Sequence, residues 1–210
     1  MEHTKGTGEK AKLTRKEQAE QRKARIIEVA ENKIRNDGYD SIKVSDLAKE
    51  CEMSVGNFYN YFSSLDDLFD EIDSTKFYKS FILSEKSELP VTERVINYCG
   101  EWIRLSLDYY GVGYMYYWTK RYTGKDSENK SDNRVRLIAG HIATIVGDGV
   151  ARGELIENTP VKEVAYSVAF MIFGCSAYFG STGDKVFIRE WYKSQFKAFI
   201  EEALNRYIKK

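Results

Sequence analysis

Two prolines in 210 residues, with fifteen glycines, leave too little turn chemistry for an all-β fold built from many short strands. Cysteine is also scarce. Cys51, Cys99 and Cys175 are odd in number and far apart, so no disulfide framework follows. They are expected as small buried hydrophobes in a chain kept in the reducing cytoplasm. Net charge is missing altogether, because 32 basic side chains meet 32 acidic ones, which excludes a uniformly basic coat for nucleic acid. Met1 to Lys16 has no apolar core, so a secretory leader is not expected. Of the two histidines, His3 lies in the polar start and His141 among apolar residues. No Ser/His/Asp set or glycine-rich phosphate loop accompanies them, so an enzyme is not expected. No second His, Cys or carboxylate stands at ligand spacing from His141, so neither a metal nor another cofactor is called for.

What the sequence does contain is helical periodicity. Met1 to Leu13 is aperiodic and is expected as a flexible arm. Thr14-Arg15-Lys16-Glu17 forms a capping box that opens a helix to about Asp37, with Ile26, Ala30 and Ile34 on one stripe and Gly38 as its stop. Val44, Leu47 and Ala48 share one face of a short helix ending near Cys51. Ser54 caps another, Val55 to Tyr61, and Ser64 to Asp67 offers a second capping box before a helix towards Leu83. Pro90 opens Val91 to about Tyr110, followed by a short aromatic segment at 114–122 and a charged loop at 124–131. Further helices are predicted over 133–152, from Thr159-Pro160 to about Gly180, and over 184–208. The fold class is all-α, with a compact unit of three helices and a helix-turn-helix pattern over 14–64 and a longer helical domain over 65–210.

Two short helices joined by a tight turn suit the major groove, which admits one α-helix whose outward side chains reach base edges. In Val55 to Phe62, Phe58 and Phe62 stand four apart and face inward as anchors. Gly56, Asn57, Tyr59 and Asn60 are left outward. Asparagine can pair bidentately with adenine, and tyrosine hydroxyls can reach phosphates or bases.

These residues resemble a known family. Lys23 to Phe69, with Gly38-Tyr39, Val44-Ser45-Asp46-Leu47-Ala48 and Ser54-Val55-Gly56-Asn57-Phe58-Tyr59-Asn60-Tyr61-Phe62, is similar to the tetracycline-repressor (TetR) family. The resemblance implies a homodimer that binds a pseudo-palindromic DNA operator and releases it when a small-molecule effector occupies the larger domain. The DNA-contacting set is then Lys43, Ser45, Ser54, Val55, Gly56, Asn57, Tyr59, Asn60 and Tyr61. An alternative stays open: a sensor or adaptor that has lost operator binding and meets a protein partner through an acidic helix-turn-helix surface. Residues 37 to 75 hold two basic side chains against ten acidic ones, whereas residues 1 to 36 hold ten basic against six acidic. Since phosphate neutralisation drives nonspecific affinity, the arm and first helix are expected to supply the grip and the presented helix the discrimination, with Lys43 the best single phosphate contact.

Tyr98, Trp102, Tyr109, Tyr110, Tyr114, Tyr116, Tyr117, Trp118 and Tyr122 place nine aromatics within 25 residues. They suit either a packed core or a cavity with polar tips for a flat, largely apolar or aromatic ligand. The expected ligand-lining set is Trp102, Tyr109, Tyr114, Tyr117, Trp118, His141 and Phe170. Val164 to Gly183 runs twenty residues without a charge, long enough to span a bilayer, but Ser167, Ser176, Ser181, Thr182 and two tyrosines interrupt it. No membrane role is expected. Such a helix suits a subunit interface, with Gly174, Ala177 and Gly180 allowing close approach and Phe173, Tyr192, Phe196 and Phe199 completing a four-helix dimer bundle.

Overall fold

The computed structural model describes residues 14–123 and 131–209, apart from the side chains of residues 40, 74, 120–123 and 131–134. The arm 1–13, nearly all of the charged loop and the Tyr122 side chain lie outside the described residues. Helix α1 (Arg15–Asp37) begins with the predicted capping box: Glu17 N–H donates to Thr14 Oγ1 at 3.2 Å, and Thr14 N–H to Glu17 Oε2 at 2.7 Å. Gly38, at φ 81, ends it in a conformation that side chains disfavour. Helix α2 (Val44–Glu50) and a single turn, α3 (Val55–Phe58), follow. Residues 59–61 leave the helix in a further turn, so the presented element is shorter than its pattern suggests; Tyr61 N–H donates to the Phe58 carbonyl at 2.9 Å.

Helix α4 (Leu65–Glu85) is capped by Ser64, whose Oγ accepts from Asp67 N–H at 3.1 Å. The reciprocal half of the predicted box is displaced by one residue. Aspartate is a methylene shorter than glutamate, and the Asp67 carboxylate takes Ser63 N–H at 2.9 Å. Helix α5 (Val91–Arg104) has Pro90 as its cap, and Val91 N–H donates to Glu154 at 2.6 Å. The helix then widens into a π-helical stretch, Leu105–Tyr110, which Gly111 closes at φ 77. The aromatic segment belongs to a full helix, α6 (Gly111–Thr123). Helices α7 (Ser131–Ala151) and α8 (Val161–Thr182) come next. The last predicted helix divides into α9 (Lys185–Trp191), a π-helical turn over Tyr192–Phe196, and α10 (Lys197–Asn205). Its end is tied back to the α7–α8 connection, where Ile156 N–H donates to the Tyr207 carbonyl at 2.9 Å.

The first three helices close on α4 through Ile26, Ala30, Leu47, Phe58, Leu68 and Ile72, all buried. Helix α8 packs against α6 and α7. Among the described residues it is long and apolar enough to cross a membrane by length and composition, and half of that stretch is buried within the fold. Gly180 faces inward rather than toward a partner: a Cβ there would stand 2.6 Å from the backbone of Met115 and Tyr116 on α6. Backbone cannot yield as a side-chain tip can, so Gly180→Ala is expected to cost about 1–3 kcal/mol, read as a lower urea midpoint.

Candidate functional site

Lys43 stands exposed as the cap of α2, with Ser45 exposed on the first turn behind it. Ser54 caps α3 by accepting Asn57 N–H at 3.1 Å, which turns the α3 face outward at a set angle. Phe58 and Phe62 are buried with ring centroids 5.8 Å apart, anchoring the segment from beneath. On the opposite face Val55, Gly56, Tyr59 and Asn60 are exposed, Tyr59 at 51%, while Asn57 and Tyr61 are half-buried. Asn60 Nδ2 donates to Asn57 Oδ1 at 3.1 Å, so the two amides hold each other in place before any ligand arrives. Of the nine residues read from the sequence, seven are exposed and Asn57 and Tyr61 are half-buried.

Cations of α1 neutralise part of the acidic excess internally. Lys23 pairs with Glu71 at 3.0 Å and Lys33 with Glu50 at 2.7 Å. Each such pair removes a positive charge from those free to meet phosphate, and places one on α1 against the helices that follow.

The head joins the helical domain through aromatics that sequence reasoning had placed against a ligand. The Tyr39 ring lies 4.6 Å from Phe69, 5.0 Å from Tyr114 and 5.0 Å from Tyr117. The Tyr114 hydroxyl donates to Asp73 and the Tyr117 hydroxyl to Asp66, both on α4. Tyr109 also belongs to this junction, with Lys76 Nζ 4.7 Å above its ring while Lys76 pairs with Glu31 of α1 at 3.0 Å. Trp102 is buried and stacked on Phe77 at 3.4 Å, and Trp118 is buried beside Phe173 at 5.3 Å. Much of the aromatic run is thus packed core or domain junction, because the rings fill the space between α4, α5 and α6. Phe170 stands instead 60% exposed on the outer face of α8, beside Tyr166.

Open space occurs between α4 and α7, in a groove of about 760 Å³ walled by Tyr78, Ile82 and Leu83 with the polar Thr75 and Lys79 on one side, and by Leu137 and His141 on the other. Of the seven expected ligand residues, His141 is the one among the described lining residues. Burial pushes its imidazole down to about 4, so the ring is neutral near pH 7. Tyr78, Leu83 and Leu137 carry the apolar surface. In the sequence they were legible only as apolar residues off the core stripe.

Glu163, Ser167, Phe170, Gly174 and Tyr178 form an exposed strip along α8, and Phe199 on α10 is exposed near one end of it. Phe173 and Ala177 are half-buried at its border. Two expected interface residues fall elsewhere. Phe196 is fully buried within its own chain, and Tyr192 turns inward to donate its hydroxyl to the Ile96 carbonyl at 2.7 Å. The π-helical turn over 192–196 shifts the face on which both residues fall, away from the uninterrupted stripe.

A small helical head whose short third helix and following turn face outward, set on a larger helical body, is the arrangement of a helix-turn-helix fold. Residues 26–72 match the bacterial regulatory proteins of the tetR family. Solved structures share the fold along nearly the whole chain. One is a TetR-family transcriptional regulator from Pectobacterium atrosepticum, at 16% identity over 94% of this chain and 99% of that one, TM-score 0.66. Another, from Cytophaga hutchinsonii, has 14% identity over 95% and 99%, TM-score 0.63. A third is RolR in complex with the ligand resorcinol, at 17% identity over 93% and 99%, TM-score 0.61. No curated protein matches the sequence at a significant level. Residues 26–72 are thus similar to the bacterial regulatory proteins of the tetR family, and the chain as a whole shares the fold of solved regulators of that family.

Proposed function

We propose that the chain is a cytoplasmic, homodimeric repressor that binds a pseudo-palindromic operator and is released by a small, largely apolar or aromatic effector. Residues 14–64 read DNA, aided by the arm 1–13, and residues 65–210 bind effector and partner. The observation that carries this reading is that one helix serves both ends. Helix α4 anchors the head through Leu68, Phe69 and Ile72, and two turns later walls the groove with Tyr78, Ile82 and Leu83. A molecule wedged against α7 tilts α4 and carries the head with it. In a twofold dimer the two presented helices must lie about 34–36 Å apart to enter successive major grooves, so a small tilt spoils the register. Release requires the effector to bind the two dimer shapes unequally, by about 1–3 kcal/mol of coupling. The likeness to RolR, solved with resorcinol, supports an aromatic effector, and the exposed Phe170 and Tyr178 on α8 support a partner helix.

A gel shift with the DNA upstream of the chain's own gene tests the reading, together with sedimentation of the free protein. Tight, salt-sensitive binding by a dimer is expected, and no binding at low salt favours the adaptor. Deleting residues 1–13 is expected to weaken binding and flatten the slope of log affinity against log salt, because the deletion removes Lys5, Lys10 and Lys12. An unchanged slope excludes the arm from the phosphate grip.

A further inference from the structure

Inside the helical body one chain of hydrogen bonds ends at the groove between α4 and α7. Trp102 Nε1–H donates to the Tyr98 hydroxyl oxygen at 2.9 Å, and that oxygen lies 2.9 Å from His141 Nδ1. Trp102 and Tyr98 are almost wholly buried, so water is not available to the Tyr98 proton. An indole can only donate, so the phenolic oxygen is the acceptor in the first bond and must send its own proton to a second partner. His141 Nδ1 is that partner. Placing the ring proton on Nδ1 instead would aim two donors at one oxygen and bury the tyrosine hydrogen unpaired, which folded proteins rarely tolerate. The neutral ring therefore carries its single proton on Nε2. The ring is also clamped in direction, stacked on Phe81 with centroids 4.1 Å apart and planes 10° from parallel.

His141 is 9% exposed, it lines the groove, and its one hydrogen bond among the described residues is made through Nδ1. We infer that His141 Nε2–H is an oriented hydrogen-bond donor on the groove wall, built to receive an apolar molecule through an accepting oxygen. The apolar body lies against Tyr78, Ile82, Leu83 and Leu137. A carbonyl, phenolic or carboxylate oxygen meets the imidazole. Trp102 and Tyr98 act as positioning residues, touching no ligand and setting which nitrogen holds the proton. This inference rests on the reading of the groove as the effector site, and it adds the chemistry that the effector must present.

Two measurements test it. The chain has two imidazoles, so ¹⁵N-histidine labelling of the protein and of its His3→Gln variant isolates the His141 signals. The expected pattern is the neutral Nε2–H tautomer across neutral pH; an Nδ1–H tautomer overturns the inference. The second measurement compares two neutral probes of matched shape, 2-acetylnaphthalene and 2-ethylnaphthalene, by titration into the full chain. The acetyl compound is expected to bind about five- to tenfold more tightly, the difference one net hydrogen bond supplies. That preference should vanish in His141→Phe, which removes the donor, and weaken in Tyr98→Phe, which keeps the ring's shape and releases the tautomer. Equal affinity for the two probes, or binding of neither, overturns the proposal. If the preference is present but operator binding does not respond, the effector reading fails while the donor at His141 stands.

Discussion

Replacing Arg94 with methionine is expected to lower the free energy of unfolding by about 2–4 kcal/mol. Arg94 is fully buried, and its guanidinium bridges Asp148 at 2.5 Å and Glu154 at 3.1 Å, pinning α5 to the end of α7. Methionine fills similar volume, so the loss is electrostatic rather than a cavity. It leaves two carboxylates facing a site built for a cation. Each keeps one other partner: Asp148 has Arg152 Nε at 2.7 Å, and Glu154 has Val91 N–H at 2.6 Å. Both carboxylates are also partly exposed, at 33% and 27%, and water screens what remains. Those compensations hold the expected cost below the upper end for a broken buried pair. Urea unfolding checks it, with a lower midpoint at unchanged slope. Arg94→Lys should recover part of the loss, since an ammonium cannot fork to two carboxylates as a guanidinium does. A cost below about 1 kcal/mol would mean that the pair holds no more than a surface bridge.

In the proposed dimer, which would present the residue twice, Asn60→Ala is expected to weaken specific operator binding by about thirtyfold or more, because a good base contact is worth about 1–3 kcal/mol. The same substitution frees Asn57, whose Oδ1 accepts from Asn60 Nδ2 at 3.1 Å, so a preordered pair is lost. No phosphate loses its counter-charge, and the salt slope should stay as it was. Tyr59→Ala should behave alike, since Tyr59 is exposed and touches the core only through the edge of Phe58, ring centroids 5.5 Å apart. Lys43→Ala should do the reverse, weakening binding to all sequences and reducing the slope by about 1. Probe binding in the groove is unaffected in all three variants if the two domains act as read. A parallel loss of probe binding and operator binding would mean the head no longer folds.

The head was legible in the sequence because its signals are local. Thr14 and Glu17 stand three apart, Gly38 follows the last turn, and Phe58 and Phe62 stand four apart. Each of these relations is settled within one turn of helix, and each reappears in the structure. The third helix was shorter than read, since after Phe58 the chain leaves the helix while Phe62 still reaches the core. Neither the junction nor the groove could be read in this way. Tyr39, Asp66 and Asp73 carry no local pattern that links them to Tyr114 and Tyr117, which stand 41 residues or more away in sequence. The groove joins α4 to α7 across a comparable separation.

Local order along the chain already carried its helical character, where most helices begin, and which side chains around α3 turn inward. Helix capping and stripe periodicity depend on neighbours three and four residues apart, and those are written in order along the chain. Only the tertiary structure decided that the aromatic run packs the core and bolts the head to α6, that Gly180 faces α6, and that His141 opens onto a groove. An aromatic ring is equally suited to a core, a junction or a ligand wall, and which it becomes depends on the distant element that packing brings against it.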